Sequence, residues 1–281
     1  MNDKPNQIRT INFNNLKIGG ETSFPIFKHI YVLNIPIFNP DENFEIVKNY
    51  YQTNSPQEII QKAQNSEADI LGLKFNIEKT EQIPKAAELL DNLLPYIKKP
   101  LMIQGINNNS IDIELLPELI KVLKVPAIIA FANDNTYKKI VPEVVKGNHI
   151  LVLRSPIDIN LAKELNILSN DMGLDLNKIL IDTDIGGLGY GLEYGYSIME
   201  KIKLEGLNGD KYLNMPMISF ACEESLKTKE AKTSNFSESF GNLKDRAVFF
   251  ELSSASAVKA AGADVVVMNY PPNISTMKGL E

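Results

Sequence analysis

The chain has 281 residues, 44% of them hydrophobic, with a formal net charge of −6 and a pI near 5.2. That balance, with Lys and Arg scattered singly and in pairs, argues against a nucleic-acid or anionic-membrane surface. A single cysteine, Cys222, excludes an internal disulfide and suits a reducing compartment.

That cysteine also cannot supply an iron–sulfur cluster alone, which takes about four thiolates. The two histidines, His29 and His149, stand at no metal-ligand spacing, so no metal site of the chain's own is expected. No apolar run approaches the ~20 residues of a membrane span. The polar start, Met1 to Asn6, does not read as a leader, and a cytoplasmic protein is expected.

Eight short apolar or β-branched runs follow one another: His29–Pro36, Asp69–Phe75, Leu101–Gln104, Ala127–Ala132, His149–Arg154, Lys178–Asp182, Met217–Ala221 and Asp264–Asn269. Most are nearly continuous in apolar character, which suits strands covered on both faces in a parallel sheet. Helical patterns lie between them. Ser55 ahead of Pro56 and Glu58 predicts a capped helix start with proline in the first position. Helices are expected over Ile83–Ile97 and over Asp112–Lys124, the second with Asp112 as its cap. Another is expected from about Asn135 to Val145, where Pro142 should kink or break it. Asp158–Asp171 should end at Gly173. Leu192, Tyr196, Met199, Ile202 and Gly206 recur at three- and four-residue spacing, the buried stripe of a helix from about Leu192 to Leu207. Glu223–Lys259 reads as a long seventh loop followed by a helix. The sequence given stops twelve residues after Asn269, so an eighth helix should be short or missing.

Strand and helix alternating eight times predict an α/β fold, a (β/α)8 TIM barrel spanning 1–281 as a single domain. Such a barrel typically needs about 250 residues. Residues 1–28 are expected to cover its amino-terminal mouth. An open doubly wound sheet is the alternative.

In such a barrel the working face is the carboxyl end of the strands. Reading along those ends gives Asn76, Asn107, Asn133, Asp134, Ser155, Asp184, Glu223 and Asn269. A ring rich in neutral amides suits a polar, uncharged heterocycle or an interface. It suits acid–base catalysis poorly, because that needs titratable groups of tuned pKa. Singly, each Asn or Asp also reads as a helix cap or turn residue. After the sixth run comes Gly186-Gly187-Leu188-Gly189-Tyr190-Gly191, four glycines in six positions. Such a loop feeding a helix can hold a phosphate, but Glu193 in the first turn opposes an anion and complements the helix dipole instead. Close packing against a partner or a flat macrocycle is the preferred use, with a tight structural turn as the plain alternative. Asp182 reads as an acceptor for nearby backbone in preference to half of a catalytic pair with Asp184. Cys222 reads as a buried, inert thiol.

Ser155-Pro156-Ile157-Asp158-Ile159-Asn160-Leu161-Ala162-Lys163-Glu164-Leu165-Asn166, then Leu188-Gly189-Tyr190-Gly191-Leu192-Glu193-Tyr194, Gly209-Asp210-Lys211 and Met215-Pro216 carry a resemblance. With Lys17-Ile18-Gly19-Gly20-Glu21 and Ala261-Gly262-Ala263-Asp264, it extends over nearly the whole chain. The sequence closely resembles the small subunit of the corrinoid iron–sulfur protein, a family that includes the delta subunit of acetyl-CoA decarbonylase/synthase. The resemblance implies the same barrel, paired with a large subunit carrying a corrinoid domain and an iron–sulfur cluster. It implies a corrinoid (cobamide) shared with that partner, lying against the carboxyl face of this barrel. The residues expected to meet it are Asp184, Gly186, Gly187, Leu188, Gly189, Tyr190, Asn76, Asn107, Asn133, Ser155 and Asn269. The assembly would carry a methyl group from a methyl-pterin to acetyl-CoA synthase, with a methyl-pterin methyltransferase as a further partner. This chain would be scaffold and cap, with no catalytic residue of its own. A free-standing methyl-pterin:corrinoid methyltransferase and an inactive paralogue kept for assembly are the other readings. The sequence departs from the family at Thr183-Asp184-Ile185, where the family has Asp-Pro and small hydroxyl residues, and in having no tryptophan.

Overall fold

The computed structural model describes residues 8–20, 28–39, 44–186 and 191–281. Two strands, β1 (Thr10–Phe13) and β2 (Leu16–Gly19), form an antiparallel hairpin. Its turn passes through Asn14 at φ 52°, a left-handed conformation that asparagine tolerates. Then come β3 (Ile30–Phe38), β4 (Ile70–Phe75), β5 (Leu101–Gln104), β6 (Ile128–Ala132) and β7 (Ile150–Arg154). The last three are β8 (Ile179–Asp182), β9 (Ile218–Ser219) and β10 (Val265–Met268). Among the described residues these eight form one parallel sheet in the order β8-β7-β6-β5-β4-β3-β10-β9. Its two ends meet in a parallel bridge between Ile181 and Met217, where the Ile181 N–H donates to Pro216 O at 3.0 Å. The sheet is therefore a closed barrel, the expected fold.

The crossovers hold α1 (Glu45–Tyr51), α2 (Pro56–Gln64), α3 (Ile83–Leu93), α4 (Asn109–Val122), α5 (Tyr137–Lys146), α6 (Ile159–Asp171) and α7 (Leu192–Leu207). After β9 come α8 (Ala221–Leu226), α9 (Lys229–Lys232) and α10 (Leu243–Ala260), and after β10 a nine-residue α11 (Pro271–Gly279). Several boundaries differ from the sequence reading. The seventh strand is only Ile218–Ser219, because Ala221 already opens α8. Asn108, not Asp112, caps α4, accepting the Ser110 N–H at 3.0 Å. Asp112 instead reaches back to accept the N–H groups of Ile106 and Asn108, both at 3.0 Å, and so fixes the loop ahead of its own helix. Pro142 does not end α5, whose buried stripe of Tyr137, Ile140, Val141 and Val144 runs through it. One lost backbone hydrogen bond is outweighed there by packing of the whole face.

Side chains along a strand alternate between the barrel interior and the helix layer. Ile30 and Val32 of β3, Ile70 of β4, Met102 of β5, Ile150 and Val152 of β7, Leu180 of β8, and Val265 and Val267 of β10 form the interior cluster. The hairpin adds Ile11, Phe13 and Ile18 to it, so the hairpin lies against the amino-terminal ends of the strands. The intervening residues, among them Leu33, Leu73, Ile103, Leu151 and Val266, join the cluster under the helices. Continuing the same alternation towards the carboxyl end brings Asn34, Lys74, Gln104, Arg154, Asp182 and Asn269 into register. The interior thus changes from apolar to polar along its axis.

Gly72 lies at that boundary. A Cβ there would come within 2.9 Å of both Asn34 Oδ1 and Met102 Cε, and 3.1 Å of Val32 Cγ1. Gly72→Ala is expected to destabilise the fold by about 1–3 kcal/mol through overpacking, read as a lower urea midpoint at unchanged slope. An unchanged midpoint would mean that the interior has slack at this level.

Candidate functional site

Glu223, in the first turn of α8, is buried at the centre of the carboxyl end. Its Oε1 meets Lys74 Nζ of β4 and Lys227 Nζ, the latter at 3.0 Å. Its Oε2 accepts from Gln104 Nε2 at 3.3 Å, with a longer contact to Asn34 Nδ2 at 3.5 Å. Asn34 Nδ2 also donates to Gln104 Oε1 at 2.7 Å. Burial alone would raise the pKa of this carboxyl, but Lys74 and Lys227 outweigh it and lower the Glu223 pKa to about 2. It stays ionised at neutral pH, with both oxygens engaged, and is no proton donor.

Arg154, the last residue of β7, forms a second buried cluster. Its Nε donates to Asp182 Oδ2 at 2.6 Å and its Nη1 lies 3.0 Å from Asp184 Oδ1. The guanidinium lies over the Phe131 ring, 3.2 Å from its centroid, with the Phe220 centroid at 5.2 Å. The two rings meet edge to face at 5.5 Å. Asp182 also accepts the Asp184 N–H at 3.1 Å, which holds Asp184 at φ 47°. Burial pushes the Asp182 carboxyl up and neighbouring Asp184 adds to this, against the pull of Arg154. The ladder of β7 and β8 continues past both strands, with Ser155 N–H donating to Asp182 O at 2.9 Å and Ile157 N–H to Thr183 O at 3.0 Å.

A cleft of about 430 Å³ opens at this end and brings together Asn76 and Asn269 with Lys74, Glu223, Lys227 and Phe44. The other expected residues are spread around the rim. Asn107 is exposed at φ 65° in the loop after β5. Asn133 donates to Asn109 Oδ1 at 2.7 Å and accepts the Asn135 N–H at 3.0 Å, a turn role. Ser155 is fully buried, with an Oγ that meets no partner. Asp184 is tied to Arg154 as above, and Gly186 is half-buried at the edge of a described segment. Gly187, Leu188, Gly189 and Tyr190 lie outside the described residues. Gly191 begins α7 at φ 105°.

Cys222 is buried, with burial and Glu251 raising its pKa. His149 accepts the Ala127 N–H on Nδ1 at 3.0 Å, and its pKa is lowered by burial to about 4. Among the described residues no cluster of His, Cys, Asp or Glu is placed to hold a metal ion, and no helix is long and apolar enough to cross a membrane.

Lys74, Gln104, Asn34 and Arg154 were not picked out from the sequence. Their signal was present: each is a lone polar residue in or ending an otherwise apolar strand.

Glu251 of α10 completes the site. Its Oε1 accepts the Asn269 N–H at 2.6 Å and the Tyr270 N–H at 3.3 Å, and its Oε2 accepts from Asn273 Nδ2 at 2.7 Å. Burial nevertheless raises its pKa from 4.5 to about 7. Because the folded state holds this proton more tightly, the group's stabilising contribution is complete below about pH 4.5 and is lost as pH rises through 7. Glu223 behaves oppositely: its contribution is present above about pH 4.5 and is lost as pH falls towards 2. Glu251→Gln should therefore gain on the order of 3 kcal/mol relative to the parent between about pH 4.5 and pH 8, measured by urea unfolding at each pH. A difference that does not vary with pH would contradict this assignment.

Residues 14–268 match the family described as CO dehydrogenase/acetyl-CoA synthase delta subunit. The delta subunit of the acetyl-CoA decarbonylase/synthase complex from Methanocaldococcus jannaschii is 31% identical over 202 residues, covering 71% of this chain and 49% of that protein. Its counterpart from Methanosarcina mazei is 26% identical over 282 residues, covering 93% and 64%. The chain spans about half the length of the first of these relatives. Among solved structures, dihydropteroate synthase from Thermus thermophilus superposes with a TM-score of 0.60 at 11% identity, covering 97% of this chain and all of that one. The enzyme from Xanthomonas albilineans with 4-aminobenzoic acid gives 0.60 at 12%, covering 90% and 92%. At that identity the likeness is one of fold alone. The family match over most of the chain is decisive: this protein belongs to the CO dehydrogenase/acetyl-CoA synthase delta-subunit family.

Proposed function

We propose that this chain is the capping subunit of a corrinoid iron–sulfur protein, its carboxyl face closing over a corrinoid held by a large corrinoid/iron–sulfur subunit. The observation that carries the reading is the pairing of charge at that face. Glu223 is neutralised by Lys74 and Lys227, and Arg154 by Asp182 and Asp184. Covering these two clusters strips no isolated charge of water, which would otherwise cost several kcal/mol. The amides of Asn76, Asn107, Asn133 and Asn269 offer hydrogen bonds to a neutral, amide-fringed plate. Bound cobamide supplies the cobalt that carries the methyl group from a methyl-pterin to acetyl-CoA synthase. This chain's own residues orient the ring and exclude water, and none of them moves a proton in the transfer. A methyl-pterin methyltransferase and acetyl-CoA synthase are the partners on either side of that step, in the cytoplasm. A free-standing methyl-pterin:corrinoid methyltransferase is disfavoured because the charged groups at the barrel's centre, Glu223 with Lys74 and Arg154 with Asp182, are already paired with one another.

One covered face of the ring gives only weak affinity, since the ordering cost is not offset by burial on both sides. Titration of free cobamide into the isolated chain by calorimetry should show weak or no binding. Repeating it with the corrinoid subunit present should show tight binding of one cobamide per heterodimer. Tight one-to-one binding by the isolated chain would make this barrel a carrier in its own right and overturn the capping role.

A further inference from the structure

The loop between β7 and α6 holds a residue that its backbone does not favour. Ile157 has φ 47°, the left-handed region in which a β-branched side chain is an outlier. It is also 40% exposed. The turn is fixed on both sides. Upstream, Ser155 and Ile157 donate their N–H groups to Asp182 O and Thr183 O. Downstream, Asp158 caps α6 by accepting the N–H groups of Asn160 and Leu161 at 2.8 and 3.1 Å. Asparagine or glycine would occupy this position without strain. An apolar, strained side chain facing water adds little to folding.

The plain explanation is a hydrophobic staple, in which the residue before the cap packs on the fourth residue of the helix, here Ala162. A staple is covered by its partner, whereas much of Ile157 stays open. Strain that folding does not need is found at binding sites.

We propose that Ile157 is an apolar contact point that enters an apolar pocket on the corrinoid-bearing partner subunit. The inference rests on the capping role proposed above. It adds which part of the carboxyl rim grips the partner protein, as distinct from the ring. Three observations favour that occupant. The chain belongs to a family of subunits of a larger complex. Ile157 sits on the rim after β7 with its N–H bonded to Thr183 O just beyond β8, and Tyr194 in the first turn of α7, which follows β8, is 65% exposed at the same end of the barrel. Arg154 ties this sector together from beneath through Asp182 and Asp184. The contact is therefore pre-organised, and little ordering cost remains to be met on binding.

The test measures binding of the intact chain to the corrinoid subunit by calorimetry, together with thermal melts. Ile157→Asn, which suits the left-handed backbone, should melt at the parent temperature or a few degrees higher. It should bind the partner at least about tenfold more weakly. Ile157→Leu, which keeps the apolar group, should bind within about threefold of the parent. If Ile157→Asn binds like the parent, or if its melting temperature falls by several degrees as for a lost staple, the inference is overturned while the capping role stands. If the parent chain itself fails to bind the corrinoid subunit, the capping role fails and takes the inference with it.

Discussion

A barrel interior accepts charge only where each charge is met by another, and this one buries Arg154 and Asp182 in one cluster and Glu223, met by half-buried Lys74, in a second. The closed sheet supplies the positions. Because inward residues recur every second place, a strand that is apolar at its start can end in a polar side chain without disturbing the helix layer. Lys74 follows Ile70 and Gly72 in this way, and Arg154 follows Ile150 and Val152. Removing one member of such a cluster leaves the others buried and uncompensated, which typically costs about 3–5 kcal/mol. The polar end of the barrel is consequently held together by its own ion pairs.

The two clusters divide the face. The Glu223 cluster lies beneath the cleft bordered by Asn76, Asn269 and Phe44. The Arg154 cluster lies beneath the loop after β7 and beneath residues 183–186 after β8. Glu251 links the last strand to this arrangement by holding the Asn269 backbone from α10. In this chain the central charged groups are paired with one another, which suits a surface that meets a partner better than one that reacts.

Much of this was legible in the sequence. The eight runs match the eight strands because a parallel barrel covers its strands on both faces, so they read as continuous apolar segments. A cap such as Ser55 was visible because it relies on a local side-chain-to-backbone bond. Asp112 was misread because its partners lie upstream in the loop, where sequence order gives no cue. The short β9 was overextended because Phe220 and Ala221 are apolar for burial, whichever element holds them. Glu223 was picked out as one rim residue among several. Its role as the hub of Lys74, Gln104 and Lys227 was not legible, since those partners come from separate elements brought together only by closure of the sheet. Ile157 carried no signal at all, because its peculiarity is a backbone angle.

The most direct test of the account is backbone hydrogen exchange of this chain, alone and bound to the corrinoid-bearing subunit. The carboxyl loops at 76–79, 105–109, 133–136, 155–158 and 183–186 should become protected, with the hairpin at 10–19 exchanging as it does in the free chain. Protection of the hairpin with unchanged exchange in those loops would show that the partner meets the opposite end of the barrel, and would contradict the account at its centre.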